Sequence, residues 1–145
     1  MKALIQRVDS SSVTVNNKIV GSIGYGMLVL LGIEKDDTVD NLEKMIQKII
    51  NFRMFSDADD KMNLSINAIN GEILLVSQFT LAADTNAGKR PSFSSAMDPK
   101  RAKEMYDLFV EKLKKEVNRV ETGKFGADSK VSLVNDGPVT FMLSC

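Results

Sequence analysis

Apolar and polar residues alternate along the first part of the chain in a pattern typical of β-strands. The alternation runs through residues 2–15, with a polar interruption at 9–12, and predicts one long strand containing a bend or bulge. A returning strand at 18–23 and an apolar strand at 27–33 follow after short turns. Consecutive strands joined by tight turns predict an antiparallel meander.

Two later segments have apolar residues at helical spacing. The first begins at Val39, after the capping residues 36–38, and its apolar positions extend to Phe52. The second begins at Asp98-Pro99, where a capping residue precedes proline at the first helical position. Its apolar stripe, which predicts a helix that faces the core, consists of Ala102, Met105, Tyr106, Phe109, Leu113 and Val117.

The most apolar strand, predicted for residues 72–81, changes character before it ends. Its aliphatic run at 73–76 predicts burial on both faces. Three polar side chains, Ser77, Gln78 and Thr80, then follow. An unpaired polar group in a buried setting costs about 1–3 kcal/mol. These side chains therefore either bond to neighbouring backbone at the strand end or line a binding site.

A long polar segment, residues 82–97, follows this strand. Loops of that length are uncommon in compact domains and are often functional. Lys89 and Arg90 lie in it beside small hydroxyl residues and Phe93. Cations next to an aromatic ring suit a phosphate or the end of a nucleotide chain. A solvated basic loop tip explains the same residues equally well.

The end of the chain returns to strand patterns at 120–125, 131–134 and 139–143. Asn135-Asp136-Gly137-Pro138 separates the last two segments. All four are turn formers, but a tight hairpin favours Asn-Gly or Asp-Gly as its central pair. A Gly-Pro peptide can also be cis, which would turn consecutive carbonyls towards a ligand. A hairpin turn and a ligand-gripping segment are both compatible with the pattern.

Composition limits the chemistry. The 145 residues, 43% hydrophobic and 26% charged, predict a single globular domain over residues 1–145. We expect no membrane partner and a cytoplasmic location, because the sequence has no apolar run of membrane-spanning length. Histidine is absent, which excludes Ser-His relays and His-ligated metal sites. We expect no metal and no cofactor. A net charge of zero predicts that any nucleic acid is held by a small local footprint.

Two motifs carry a resemblance to a known family. Ser77-Gln78-Phe79-Thr80-Leu81, together with Asn135-Asp136-Gly137-Pro138-Val139-Thr140, resembles the D-aminoacyl-tRNA deacylases. Other segments match the family in order, at residues 4–8, 55–57, 61–64, 81–84 and 90–94. The similarity covers essentially the whole chain without an obvious insertion.

The resemblance implies an enzyme that hydrolyses the ester between a D-amino acid and the terminal adenosine of tRNA. It also implies removal of glycine from mischarged tRNA, as a step of translation quality control in the cytoplasm. The partner would be the acceptor end of tRNA, and the enzyme would be a homodimer. With the patterns above, this predicts an α+β fold, in which a mostly antiparallel, barrel-like sheet carries two main helices.

The resemblance also assigns roles to residues. Ser77, Gln78, Phe79 and Thr80 would line the pocket around the scissile ester. Gly137 and Pro138 would be joined by a cis peptide and reach from one subunit into the site of the other. There they would grip the amino group and exclude L-amino acids. The terminal ribose and adenine would be met by Ala102 and Phe125. The basic pair Lys89 and Arg90 is expected at the tRNA end because of its charge, not because of the resemblance.

The chemistry of such a site needs little acid–base help. An aminoacyl ester is already activated, so positioning and oxyanion stabilisation matter more than a strong base. Backbone N–H groups of Phe79 and Thr80 are candidate oxyanion donors. The Thr80 hydroxyl is a candidate nucleophile, but the sequence offers it no base. The competing group is the 2′-hydroxyl of the substrate ribose, and the resemblance favours it, so it is the preferred catalytic group.

Two other classes of function are compatible with the sequence. Lys89-Arg90 suits a non-catalytic nucleic-acid-binding protein on the same fold. A small-molecule-binding, β-rich dimer is the other class, in which the polar strand end at residues 77–80 is merely structural.

Overall fold

The computed structural model describes residues 1–86 and 88–145. The strands are β1 (Lys2–Val15), β2 (Lys18–Ile23), β3 (Gly26–Gly32), β4 (Phe55–Ser56), β5 (Met62–Leu64), β6 (Glu72–Ser77), β7 (Arg119–Thr122) and β8 (Lys130–Ser144). The helices are α1 (Val39–Ile50) and α2 (Pro99–Glu116), with a short 3₁₀ helix at Phe79–Ala82. Six strands form one mixed sheet and β4 pairs with β5. The predicted fold class is confirmed.

β1 is the strand around which the sheet is arranged. Its N-terminal half pairs with β3, its C-terminal half pairs with β2, and β8 runs along its other edge. The predicted meander is therefore wrong, because β3 pairs with β1 and not with β2. The long β1 provides one edge on which both shorter strands fit, one after the other. Its register with β8 shifts around Val8, close to the predicted bulge.

β6 lies between β3 and β7 and is parallel to both. Residues 73–76 are buried, which confirms the predicted burial on both faces. Ile73 and Leu75 belong to the core between sheet and helices, whereas Leu74 and Val76 belong to a second core inside the curved sheet. β7 approaches β2 so closely that a Cβ at Gly21 would clash with the backbone of Thr122. The sheet thus curls into a nearly closed barrel.

The two helices cover the outer face of the barrel, as their apolar stripes predicted. The buried residues of α1 are Leu42, Met45, Ile46, Ile49 and Ile50, and those of α2 are Tyr106, Phe109 and Leu113. The Asp98 carboxylate accepts hydrogen bonds from the backbone N–H groups of Lys100 and Arg101, at 3.0 and 3.3 Å, so the predicted cap of α2 is confirmed. Within the described residues, neither helix is long and apolar enough to cross a membrane.

The last third of the chain differs most from its predicted elements. β7 ends at Thr122, short of the predicted residue 125. The two strands predicted on either side of residues 135–138 are one strand, β8, so a hairpin there is wrong. β1 pairs with Asn135 on one side and Thr140 on the other, and residues 136–139 bulge outward between these pairs. The Gly137–Pro138 peptide is cis, as predicted.

The loop after β3 is held by the two ends of the chain. The Met1 ammonium donates to Glu34 Oε2 at 2.7 Å, to Asp37 Oδ1 at 2.6 Å and to the Cys145 carbonyl at 3.0 Å. Glu34 also forms a β-bridge with Ala96 in the loop that precedes α2. This charged cluster therefore anchors two loops at one end of the barrel.

Candidate active site

The end of β6 is where the chain turns away from the sheet. The strand stops at Ser77, and residues 79–82 form the 3₁₀ helix, so the predicted strand through residue 81 is too long. The Gln78 N–H donates to the Leu31 carbonyl at 2.7 Å, which keeps the start of this turn against β3. Space is left between the turn, the loop before α2 and the first turn of α2.

A cavity of about 460 Å³ occupies this space. Its volume lies in the range of sites for small molecules, and such sites combine apolar walls with few polar groups. Ser77 and Asp98 are its polar side chains, and the other lining residues are Leu31, Ile33, Phe79, Phe93, Ala96, Met97, Pro99, Ala102, Phe125 and Gly126. The cavity is suited to a largely apolar ligand that carries a few polar groups.

Aromatic rings border the cavity at two places. Phe79 and Phe93 are 60% and 41% exposed, and their centroids lie 5.0 Å apart. Phe125 packs on Tyr106 at a centroid distance of 5.6 Å. The Tyr106 hydroxyl donates to the Leu75 carbonyl at 2.9 Å, and burial raises its pKa, so it stays protonated as a donor. Phe125 is thereby supported from β6, while the Phe79–Phe93 pair is open to solvent.

The other two polar residues of the strand end bond to each other. Gln78 Nε2 donates to Thr80 Oγ1 at 2.5 Å, and neither residue lines the cavity. A side-chain amide has no useful acid or base chemistry near neutral pH. Within the described residues, the only hydrogen-bond partner of the Thr80 hydroxyl is this amide. The geometry thus gives Thr80 no base.

Gly137 and Pro138 lie away from the cavity of their own chain. β8 is separated from β6 by β1 and β3. Neighbouring strands are about 4.8 Å apart, so three steps separate the bulge from β6 by about 14 Å across the sheet. Arg7, opposite the bulge, is level with Met27 and Ile73, so the bulge is also offset from Ser77 along the strands. Neither Gly137 nor Pro138 lines the cavity. One chain alone does not bring the two motifs together.

The bulge that carries Gly137 and Pro138 is held at both ends. Arg7 Nε lies 2.9 Å from Asp136 Oδ2 and donates to the Asp136 carbonyl at 3.1 Å, while Arg7 Nη1 donates to the Met54 carbonyl at 3.0 Å. Asn135 Oδ1 accepts from the Val139 N–H at 2.9 Å. The Gly-Pro pair itself is exposed. Asp136 and Val139, at the two ends of the bulge, are therefore held in place, while Gly137 and Pro138 between them are accessible to a ligand.

The structure divides the predicted site residues into two groups. Ser77, Phe79, Ala102 and Phe125 line the cavity. Gln78, Thr80, Lys89 and Arg90, together with the Gly-Pro pair, lie outside its lining. Lys89 and Arg90 are exposed in the loop before α2.

Several cavity residues were not predicted as such. Leu31 and Ile33 have the apolar pattern of a core strand, and Met97 and Pro99 flank a helix cap. In the sequence, only the length of the loop at 82–97 and the helix cap at Asp98 indicated that this region could contribute to a site. Apolar side chains that line a cavity carry the same local pattern as those that fill a core.

The comparisons with known proteins agree over the whole chain. The family model described as D-Tyr-tRNA(Tyr) deacylase matches residues 4–144. Proteins named D-aminoacyl-tRNA deacylase from Escherichia coli O81 (strain ED1a) and Shigella boydii serotype 18 (strain CDC 3083-94 / BS512) are 54% and 53% identical over 143 residues, which is 99% of this chain and 99% of each relative.

Solved structures show the same fold. The c-Myc DNA Unwinding Element Binding Protein superimposes with a TM-score of 0.96 at 43% identity, over 100% of this chain and 99% of that chain. A probable eukaryotic D-amino acid tRNA deacylase superimposes with a TM-score of 0.86 at 19% identity, over 99% of this chain and 98% of that chain. With the match over residues 4–144, these findings confirm the predicted resemblance and the predicted enzyme class: the chain belongs to the D-Tyr-tRNA(Tyr) deacylase family.

Proposed function

We propose that this enzyme hydrolyses the ester that joins a D-amino acid, or glycine, to the terminal adenosine of tRNA. The observation that carries the proposal is the cavity itself. Two residues of the first motif, Ser77 and Phe79, share it with Ala102 and Phe125, although the three segments are far apart in sequence. Relatives named D-aminoacyl-tRNA deacylase cover 99% of the chain.

The adenosine end of the substrate would occupy the cavity. Phe125 offers a ring on which adenine can stack, and Ala102 leaves room beside it on the first turns of α2. The ester would then lie towards Ser77 and Phe79, where the 3₁₀ helix begins. An apolar pocket excludes water from the adenine ring and leaves the ester near backbone N–H donors.

Catalysis would rest on backbone donors and on the substrate. Within the described residues, neither the Phe79 N–H nor the Thr80 N–H donates to a protein acceptor, so both are free for a developing oxyanion. The Thr80 hydroxyl is bonded to an amide that cannot accept a proton. The 2′-hydroxyl of the terminal ribose is therefore the preferred group to assist hydrolysis.

A pair of substrates and one variant test this assignment. Thr80→Ala should keep substantial activity on D-Tyr-tRNA, whereas wild-type enzyme should lose far more on tRNA ending in 2′-deoxyadenosine. Loss of one oxyanion donor typically costs about 10²–10³ in rate. A Thr80→Ala loss well beyond that range, with the deoxy substrate still cleaved, would make Thr80 the nucleophile.

A second copy of the chain would complete the site. Gly137 and Pro138 do not line the cavity of their own chain, and β1 and β3 lie between their strand and β6. β8 pairs with β1 alone among the described strands, and Val134 and Met142 on it are each 55% exposed. An apolar edge strand is a surface that proteins normally cover. Association through β8 would bring one bulge to the cavity of the partner.

Mixing two impaired variants, at substrate concentrations where each alone is far below wild type, tests the shared site directly. In a mixed dimer of Phe125→Ala and Gly137→Ala subunits, a site shared across the interface has one intact copy. Random reassociation should therefore recover about a quarter of wild-type activity. A site contained in one chain would recover none. Sedimentation that shows a fully active monomer at assay concentration would also contradict the dimer.

The enzyme would distinguish D- from L-amino acids by the direction in which the side chain leaves the Cα atom. If Gly137 and Pro138 hold the amino group, a D side chain points outward, while an L side chain meets the bulge. Purified enzyme should cleave D-Tyr-tRNA and Gly-tRNA and spare L-Tyr-tRNA, with the same rates when a chelator is present. Equal rates of hydrolysis of the L and D esters would contradict the proposal.

The nucleic-acid-binding alternative keeps one specific observation in its favour, the name of a solved relative at 43% identity. Binding of tRNA without any hydrolysis of the D ester would favour that alternative over the deacylase.

A further inference from the structure

A second depression adjoins the cavity and shares Phe125 with it. It is an open groove of about 550 Å³ between α2 and residues 122–125. Its lining includes Tyr106, Lys103, Lys114 and Lys124. None of the site motifs contributes to it, and the reaction proposed above does not use it.

We propose that this groove binds the nucleotide that precedes the terminal adenosine, with Lys114 and Lys124 contacting its phosphates. The inference rests on the proposed function, because it assumes that adenosine occupies the cavity. It adds the path by which the rest of the nucleic acid leaves the site.

The groove is continuous with the cavity at Phe125. A terminal adenosine bound in the cavity remains attached to a chain, and that chain must leave through a neighbouring opening. Phe125 lines both depressions and is held in place by Tyr106. One ring that borders both depressions can therefore be contacted by successive nucleotides. Stacking of a base on an aromatic side chain contributes about 1–3 kcal/mol.

The groove is lined by several charged side chains. The two carboxylates in the groove already have partners: Asp107 pairs with Lys103 at 2.6 Å, and Glu111 pairs with Lys115 at 2.7 Å. Lys114 and Lys124 are exposed and form no ion pair among the described residues. The groove therefore has an excess of positive charge in a chain whose net charge is zero. Phosphate is the common nucleic-acid group that such a local excess attracts.

Two substrates separate the groove from the cavity. Lys114→Glu/Lys124→Glu should raise the KM for D-Tyr-tRNA by about tenfold or more, because two phosphate contacts become repulsive. Hydrolysis of D-tyrosyl-adenosine, which has no preceding nucleotide, should stay at the wild-type rate. The slope of log Kd for uncharged tRNA against log salt should fall by about 1.4, since each contact to a single strand contributes about 0.7.

The matched control is Lys18→Glu/Lys44→Glu, an equal charge change at exposed positions on β2 and α1 that line neither depression. It should leave both substrates unaffected. If Lys114→Glu/Lys124→Glu changes both substrates equally, or changes tRNA no more than the control does, the groove is not the nucleotide site. Failure of wild-type enzyme on both substrates would instead overturn the proposed function.

Discussion

The cavity and the Gly137–Pro138 bulge are built in opposite ways. The cavity combines the ends of β3 and β6, the loop before α2, the first turns of α2 and Phe125. The bulge consists of residues 136–139, held by Arg7 from below and by Asn135 within the same strand. The cavity depends on how distant elements pack, whereas the bulge depends on a few hydrogen bonds and one ion pair.

This difference determines how each region should respond to mutation. A change in the cavity wall also touches the core, because Phe125 packs on Tyr106 and Tyr106 bonds to β6. Gly137 and Pro138 at the tip of the bulge are exposed, so changes there reach the core only through Val139. We therefore expect activity and stability to be coupled in the cavity and separable at the bulge tip.

The largest effect is expected for Gly137→Ala. Gly137 has φ +141°, and a Cβ there would lie 2.5 Å from Val139 Cγ2 and 2.8 Å from the Val139 nitrogen. The bulge must shift, and a misplacement of about 1 Å near reacting groups can cost about 10² in rate. D-Tyr-tRNA hydrolysis should fall at least that far, with an unchanged circular dichroism spectrum.

Gly24→Ala is its control, because a Cβ there meets only a Glu72 carboxylate oxygen at 4.0 Å. Near-wild-type activity of Gly137→Ala would show that the bulge does not touch the substrate.

Arg7→Met should give the next largest effect, on stability as well as activity. Arg7 is 8% exposed, and its removal leaves the Met54 carbonyl and Asp136 without their donors. Breaking a buried pair costs about 3–5 kcal/mol, and partial exposure of Asp136 reduces this to about 2–3 kcal/mol. Urea unfolding should show the loss, while Lys115→Met, which breaks an exposed pair, should leave the unfolding midpoint almost unchanged. Equal losses would refute the anchoring role.

Phe125→Ala should give the third largest effect, and it should lower activity and stability together. Removing a ring on which a base stacks costs about 1–3 kcal/mol of binding, so kcat/KM should drop for D-Tyr-tRNA and D-tyrosyl-adenosine alike. Phe52→Ala is the matched control, because Phe52 packs on Phe141 at 5.0 Å outside the cavity. It should lower the melting temperature similarly and leave kcat/KM unchanged. Parallel activity losses in both variants would argue against stacking.

The smallest effect is expected from pH, through the cluster that anchors the cavity loops. Burial alone would lower the pKa of the Met1 ammonium, but its bonds to Asp37 and Glu34 outweigh this and raise it above 8.0. Burial alone would raise the pKa of Glu34, but the Met1 ammonium and Lys2 outweigh this and hold that pKa below 4.5. The carboxylate contribution is present above about pH 4.5 and is lost as pH falls through the lowered value.

The ammonium contribution is present below about pH 8 and is lost as pH rises through the raised value. Thermal unfolding should therefore show a plateau between these limits, with a small decrease in melting temperature on either side. Glu34→Gln should flatten the acid limb. An acid limb that is unchanged in Glu34→Gln would show that other carboxylates produce it.

Local patterns alone determined a large part of this molecule. Alternation predicted β1, two-sided hydrophobicity predicted the burial of β6, and helical spacing with the Asp98 cap predicted α2. These features follow from the periodicities of 2.0 and 3.6 residues, which are properties of the chain itself. The motifs at 77–81 and 135–140 indicated the family, which the match over residues 4–144 confirms.

Tertiary structure alone decided which surfaces meet. Periodicity reports that a face is buried but does not name its partner, so the order of β2, β1 and β3 was predicted wrongly. The continuation of β8 through the bulge depends on β1 providing partners on both sides of it. A cavity is space left between packed elements, and Leu31, Met97 and Phe125 line it because three distant segments end at the same place.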